Sequence, residues 1–175
     1  MKQLRESFFS FIFLVIVISS FVSVTLRAQS NNSSTEQISQ QADVIVVGKV
    51  GHLESEWNAD KSRIQTRVTI TVNDVVKGDA ATQSVVVYTP GGEVDGVGEW
   101  YSHNAKFVND EEVVVFAKKD NRGLLRVASG QNGKFTIAKD AATGRKFIPN
   151  VGTLEAFTSH IKNVLKAHQG DPKQK

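Results

Sequence analysis

The sequence predicts a mainly β protein, a small curled sheet or closed barrel with a C-terminal helix, and three observations support this fold class. The first is a stretch of eleven residues, 63–73, in which apolar and polar side chains alternate, as in a strand with one buried and one solvated face. At about 3.3 Å per residue this strand would span about 36 Å, so we expect it to coil around a core. The second is a set of shorter valine-rich segments between turn residues, and the third is an apolar stripe near the C-terminus.

The strands can be placed in chain order. The first begins at Ala42 and is apolar on both faces at its start, and Gly48 and Gly51 mark points where a strand bulges or another backbone comes close. A turn at 58–61 returns the long strand antiparallel to the first. Further strands are predicted at 83–89, 112–118 and 124–128, and a hairpin is predicted at 133–147.

A helix is predicted at each end of this set of strands. Residues 31–41 form a short helical segment, with Ser34 and Gln37 at capping-box spacing and with Ile38 and Ala42 facing inward. Thr153 caps the last helix, whose apolar stripe consists of Leu154, Phe157, Ile161, Val164 and Leu165. Residues 42–149 are therefore predicted to form a Greek-key barrel of the OB type with five to six strands, followed by a helix and tail at 150–175. A β-sandwich is the alternative.

Residues 1–30 have the composition of a signal peptide. Lys2 and Arg5 precede an apolar run at 8–26, and Ala28 and Ser30 are small residues at the positions that a signal peptidase reads. We expect cleavage near Ser30 and a secreted or periplasmic protein without membrane attachment, and an uncleaved N-terminal membrane anchor is the alternative.

Charge and cysteine content exclude several functions. The full chain carries a net charge of +3, but removal of residues 1–30 takes away three basic residues and one acidic residue, which leaves about +1. No basic stripe indicates a nucleic-acid partner. Since the chain has no cysteine, it has no disulfide framework, thiol nucleophile or thiolate metal site.

The segment 90–104 is the strongest candidate for a binding site. It holds four glycines, two aromatic residues, three acidic residues and a histidine between two strands, and loops longer than about 12 residues are often functional. An exposed tryptophan–tyrosine pair suits contact with a protein or a sugar. In the alternative interpretation, the two aromatic side chains fold onto the barrel and seal one end. The candidate binding residues are Gly91, Gly92, Glu93, Trp100, Tyr101 and His103.

Catalytic and metal sites are not predicted, and neither is a cofactor. Ser102, His103 and Asp95 could be named as a triad, but adjacent residues on a strand point to opposite faces, and no serine has a nucleophile-elbow motif. Residues 130–134 lack the spacing of a P-loop and are predicted to be a turn. The four histidines show no ligand spacing, and the acidic run 110–112 is predicted to be a solvated turn.

Three arginines are predicted to lie on the surface of the barrel, and five phenylalanines are predicted to lie in its core. Arg63, Arg67 and Arg126 are a candidate for a small basic patch on one barrel face. The phenylalanines beyond residue 30 are predicted to lie in the core, and they are Phe107, Phe116, Phe135, Phe147 and Phe157.

The order of several short motifs resembles the netrin-like module, an OB barrel known from tissue inhibitors of metalloproteinases. The matching residues are Ala42-Asp43-Val44, 64–78, Tyr88-Thr89 and 112–118. The segment is also similar to uncharacterised exported bacterial proteins through Phe107, Glu111 and 113–115. In the inhibitors an N-terminal cysteine binds the zinc of the protease, and this chain has no counterpart of that cysteine.

These observations predict an exported, non-enzymatic binding module that acts through protein–protein contact, with a protease or an envelope component as candidate partner. The alternatives are a metalloprotease inhibitor that works without cysteine, and a hydrolase. The oligomeric state is not predicted.

Overall fold

The computed structural model describes residues 32–78 and 83–169, with side chains from residue 35 onward. The predicted signal peptide, the side chain of Ser34 and the predicted tail after Gln169 lie outside the described residues. The elements in chain order are α1 (Asn32–Gln41), β1 (Val44–Trp57), β2 (Ile64–Lys77), β3 (Ser84–Pro90), β4 (Gly92–Val94), β5 (Val97–Glu99), β6 (Glu112–Lys119), β7 (Leu125–Val127), a 3-10 turn (Gly130–Gly133), β8 (Lys134–Lys139), β9 (Lys146–Ile148), β10 (Gly152–Thr153) and α2 (Leu154–Gln169).

Five of these strands close into a ring. They pair in the order β1, β2, β3, β7, β6, and β6 pairs back with β1. Every pairing in the ring is antiparallel except that of β3 with β7, which is parallel and joins Tyr88 to Arg126. This is the five-stranded Greek-key arrangement of the OB type, so the predicted fold class is confirmed. Strands β8, β9 and β10 continue the sheet beyond β6.

The two longest strands, β1 and β2, curl because their pairing is interrupted. Their register shifts at three places, one of them between Val47 and Gly48, and such irregularities bend a strand and increase its twist. At Gly48 a Cβ atom would clash with the carbonyl oxygen of Thr71, so β1 approaches β2 there more closely than a side chain allows. The close approach predicted at Gly48 is confirmed.

The core consists of two clusters on opposite faces of β1 and β6. The first fills the ring, and its buried members are Val46, Val50, Val68, Ile70, Val85, Val87, Val113, Val115 and Ala117. The second lies between the ring and the helices, and it includes Ile38, Ala42, Ile45, Val47, Val114, Phe116, Ile137, Ile148, Phe157 and Ile161. Because neighbouring residues of β1 and β6 enter different clusters, both strands are apolar on both faces, as predicted for the start of β1.

Helix α2 docks on the ring through an aromatic cluster. The ring centroid of Phe116 lies 5.7 Å from that of Phe135 and 6.4 Å from that of Phe157. The N–H of Ala156 donates to the Thr153 hydroxyl over 3.2 Å, so the predicted cap is confirmed. Within the described ranges, no helix has the length and apolar content to cross a membrane.

The prediction of a solvated turn at 110–112 is wrong for Glu111. Its side chain is only 13% exposed, and its carboxylate lies 2.7 Å from the ammonium group of Lys134, which is 11% exposed. The other carboxylate oxygen accepts the N–H of Val108 over 2.8 Å. Glu111 therefore fixes the chain that leads into β6, whereas Asp110 is exposed and pairs with Lys49.

Candidate functional site

The candidate segment 90–104 contains a hairpin that was not predicted. Strands β4 and β5 pair from Gly92 with Glu99 to Val94 with Val97. The two residues between them, Asp95 and Gly96, have φ angles of 52° and 78°. Two positive φ angles are typical of a type I′ turn, for which Asp-Gly is a preferred pair. The Val-Asp-Gly-Val sequence was the signal that could have located this hairpin.

Hydrogen bonds fix the base of the hairpin to the end of β1 and the start of β2. The N–H of Gly91 donates to the carbonyl oxygen of Ile64 over 2.9 Å, and the Thr66 hydroxyl donates to the carbonyl oxygen of Gly91 over 2.7 Å. The hydroxyl groups of Thr66 and Ser55 lie 3.2 Å apart. These hydrogen bonds hold the segment in one position, which lowers the entropy lost when a partner binds.

Gly91 and Gly92 position this segment. Their φ angles are 93° and 135°, values that side chains strongly disfavour. A Cβ atom on Gly91 would lie 2.6 Å from the carbonyl oxygen of Glu99, and one on Gly92 would meet the hydroxyl of Ser55. The two glycines therefore bring the backbone against the end of the barrel and direct the hairpin that follows.

The hairpin and the residues that follow it place apolar side chains in solvent. Trp100 is 78% exposed, and Glu93 and His103 are exposed as well. Of the exposed large hydrophobic side chains in the described ranges, four lie in the twelve residues 97–108, namely Val97, Trp100, Tyr101 and Val108, and the fifth is Val151. Exposed apolar patches are typical of interaction sites, and these four side chains are close together in the chain. We call the segment 91–108 the aromatic segment.

A first hollow lies beside the two aromatic residues. It has a volume of about 220 Å³, and apolar side chains of Leu53, Pro90, Trp100 and Phe107 contribute to its lining. The Thr89 hydroxyl, which is buried, donates to the carbonyl oxygen of Ala105 over 3.2 Å and holds the returning chain in place. We call this the apolar hollow.

A second hollow of about 310 Å³, the polar hollow, lies next to the first. Its polar lining includes Asn58, Arg63, Gln65 and Arg126. The buried Gln65 accepts a hydrogen bond from Arg126 over 3.1 Å and donates one to Glu56 over 2.9 Å. Arg63 and Arg126, two of the three arginines of the predicted basic patch, thus line the same hollow.

The third arginine of the predicted patch is placed differently. Arg67 does not line the polar hollow. Its Nε atom lies 3.7 Å from a carboxylate oxygen of Glu54.

Of the two arginines of the polar hollow, Arg126 pairs with a carboxylate, whereas Arg63 does not pair with one among the described residues. Arg126 donates from Nε to Asp120 over 2.8 Å, and this hydrogen bond, with those from the N–H groups of Arg122 and Leu124, holds the pKa of Asp120 below its usual value. Asp120 is therefore ionised at neutral pH and offsets the charge of Arg126. Arg63 is exposed and has no acidic group within 4 Å among the described side chains.

The expectation that Ser102 and His103 point apart is wrong. Both residues lie in a turn, and the Ser102 hydroxyl is 3.0 Å from Nδ1 of His103. Asp95 lies in the hairpin turn, and in the part of the chain that the structure describes no hydrogen bond joins it to Ser102 or His103. The carbonyl oxygen of His103 accepts the N–H of Gln131 over 2.9 Å and so ties the aromatic segment to the 3-10 turn. In the same ranges, no group of three or more histidine, aspartate and glutamate side chains could hold a metal ion.

The fold and the site together define a barrel-like domain with an exposed aromatic segment and two adjoining hollows at one end of β1 and β2. No protein-family model and no curated protein matches the sequence. The resemblance to the netrin-like module therefore rests on the order of short motifs and stays a prediction.

Proposed function

We propose that this protein is an exported binding module without enzymatic activity, and that it acts through contact of its aromatic segment with a protein partner. The observation that carries the proposal is the concentration of exposed apolar side chains in 97–108. Tryptophan and tyrosine are the residues most enriched among those that dominate binding energy at protein interfaces. The hydrogen bonds of Gly91 support the same function, because a segment that is already ordered loses less entropy on binding.

The setting of this function follows from the first thirty residues. Their basic start, apolar run and small residues are those of a signal peptide, so the partner is sought among secreted and envelope proteins. A protease or an envelope component is the candidate, and the near-neutral charge after residue 30 does not favour a nucleic acid.

The proposal predicts that Trp100→Ala strongly weakens partner binding. The protein, expressed from its full chain, is immobilised and used to capture proteins from the envelope and secreted fractions of its own cells. We expect recovery of the specifically bound protein to fall at least tenfold, because loss of a central tryptophan at an interface costs about 2 kcal/mol or more. Quantitative mass spectrometry of the captured proteins measures this change.

Val151→Ala is the matched control. Val151 is also an exposed apolar side chain, but it lies outside the aromatic segment. Substitutions at such exposed positions change stability by about 0.5 kcal/mol or less, so both variants should remain folded. Equal recovery by the wild type and Trp100→Ala would exclude the aromatic segment as the binding surface.

A further inference from the structure

We propose that the partner enters this site with a peptide segment in which an apolar side chain lies beside a carboxylate. The apolar side chain occupies the apolar hollow, and the carboxylate pairs with Arg63 in the polar hollow. This inference rests on the proposed function, since it names the chemistry of the partner at the same surface.

The two hollows adjoin, so one ligand can contact both. Pro90, Tyr101 and Asn104 line both of them. The side chain of Asn104 is held by a hydrogen bond from its amide to the carbonyl oxygen of Pro90 over 3.2 Å. One ligand that crosses these three residues therefore contacts both hollows, and its apolar and charged groups must be close together in its own chain.

The size and lining of the apolar hollow fit one apolar side chain of the partner. A cavity of about 150 Å³ lined by apolar side chains is enough to bind benzene, so about 220 Å³ accepts one large apolar side chain. Leu53 and Phe107 are half-buried in its lining, and Trp100 stands in solvent beside them. An aromatic or aliphatic side chain that enters removes these surfaces from water.

The charges around the two hollows favour an acidic group on the partner. Arg126 is compensated by Asp120, whereas Arg63 has no such partner, and Lys106 beside the apolar hollow has none within 4 Å among the described side chains. The carboxylate of Glu99 lines the apolar hollow, where it accepts the hydroxyl of Tyr101 over 2.9 Å. The lining of the polar hollow includes Arg63 and Arg126 and, among the described side chains, no acidic residue, so it is positively charged. A guanidinium group binds a carboxylate through two parallel hydrogen bonds.

Two synthetic peptides test this assignment. Acetyl-Gly-Phe-Asp-Glu-Gly-amide carries carboxylates next to its aromatic side chain, and acetyl-Gly-Phe-Asn-Gln-Gly-amide has the same shape without the charge. Each peptide is titrated to millimolar concentration into isotope-labelled protein, expressed from its full chain, and followed by NMR. We expect the acidic peptide to bind at least fivefold more tightly and to shift the backbone amides of Arg63, Tyr101 and Asn104.

Three variants separate the two hollows. Arg63→Gln should remove the preference for the acidic peptide, and Trp100→Ala should weaken binding of both peptides. Arg145→Gln removes another exposed arginine that has no acidic partner within 4 Å in the described part of the chain, and it should leave the preference unchanged.

The inference is overturned if the two peptides bind equally, if neither binds, or if the shifted amides lie away from the two hollows. Its failure is distinguishable from failure of the proposed function. Capture of a protein that depends on Trp100, together with any of these peptide results, leaves the proposed function standing and removes only the peptide assignment.

Discussion

Replacement of Phe116 by alanine is expected to lower the free energy of unfolding by about 3–5 kcal/mol, because it leaves a cavity that the surrounding side chains cannot fill. Phe116 is fully buried in β6, and its ring contacts those of Phe135 and Phe157. Domains of this size are stable by about 5–15 kcal/mol, so the loss is a large part of the total. Urea denaturation followed by circular dichroism measures it.

Phe147→Ala is the matched control for this prediction. Phe147 lies in β9 and is half-buried, so the same substitution removes less buried surface and should cost about 1–2 kcal/mol. If the two variants lost equal stability, the packing between the ring and helix α2 would not have the importance assigned to Phe116.

Gly48→Ala is expected to destabilise the protein by about 3 kcal/mol through overpacking. The new Cβ atom would clash with the carbonyl oxygen of Thr71 and would lie 2.6 Å from Cγ2 of Ile70. The carbonyl group belongs to the backbone of β2, so relief of the clash requires the two longest strands to separate locally. Thermal and urea denaturation should both show the loss.

Gly51→Ala provides a control three residues further along β1. A Cβ atom at Gly51 would lie 3.6 Å from the carbonyl oxygen of Thr69, which is an ordinary contact distance. We expect a change of about 0.5 kcal/mol or less. A Gly48→Ala variant as stable as Gly51→Ala would show that β1 and β2 do not approach as closely as the structure describes.

Features that depend on neighbouring residues could be predicted from the sequence. The alternation in 63–73 is local, and Ile64, Val68 and Ile70 are accordingly buried. Gln65, which the alternation placed on the solvated face, is buried as well, so the prediction is wrong at that position. The close backbone approach at Gly48 could be predicted because glycine has no side chain. The helix cap at Thr153 could be predicted because it depends on the residues that follow it directly. These predictions needed only the period of a strand and the chemistry of turns and helix ends.

Features that depend on distant pairs could not be predicted. The ring closes where β3 meets β7 in parallel at Tyr88 and Arg126, and the side chain of Glu111 is only 13% exposed because Lys134 lies beside it. No local pattern specifies either pairing. The hairpin at Asp95 and Gly96 is different, since its turn signal was present in the sequence.

The candidate site combines both kinds of feature. Its composition identified Trp100 and Tyr101, but their position depends on Thr66, which holds Gly91 from 25 residues away. The polar hollow likewise joins Arg63, which precedes β2, to Arg126 in β7. Sequence reasoning could therefore name the residues of the site but not the two hollows that they line.

The most direct test of the proposed binding surface is hydrogen–deuterium exchange of the protein alone and bound to its captured partner. The account predicts that binding slows exchange at the backbone amides of residues 91–108, with little change in helix α2. Slower exchange confined to α2 or to β8–β9, with 91–108 unchanged, would contradict it.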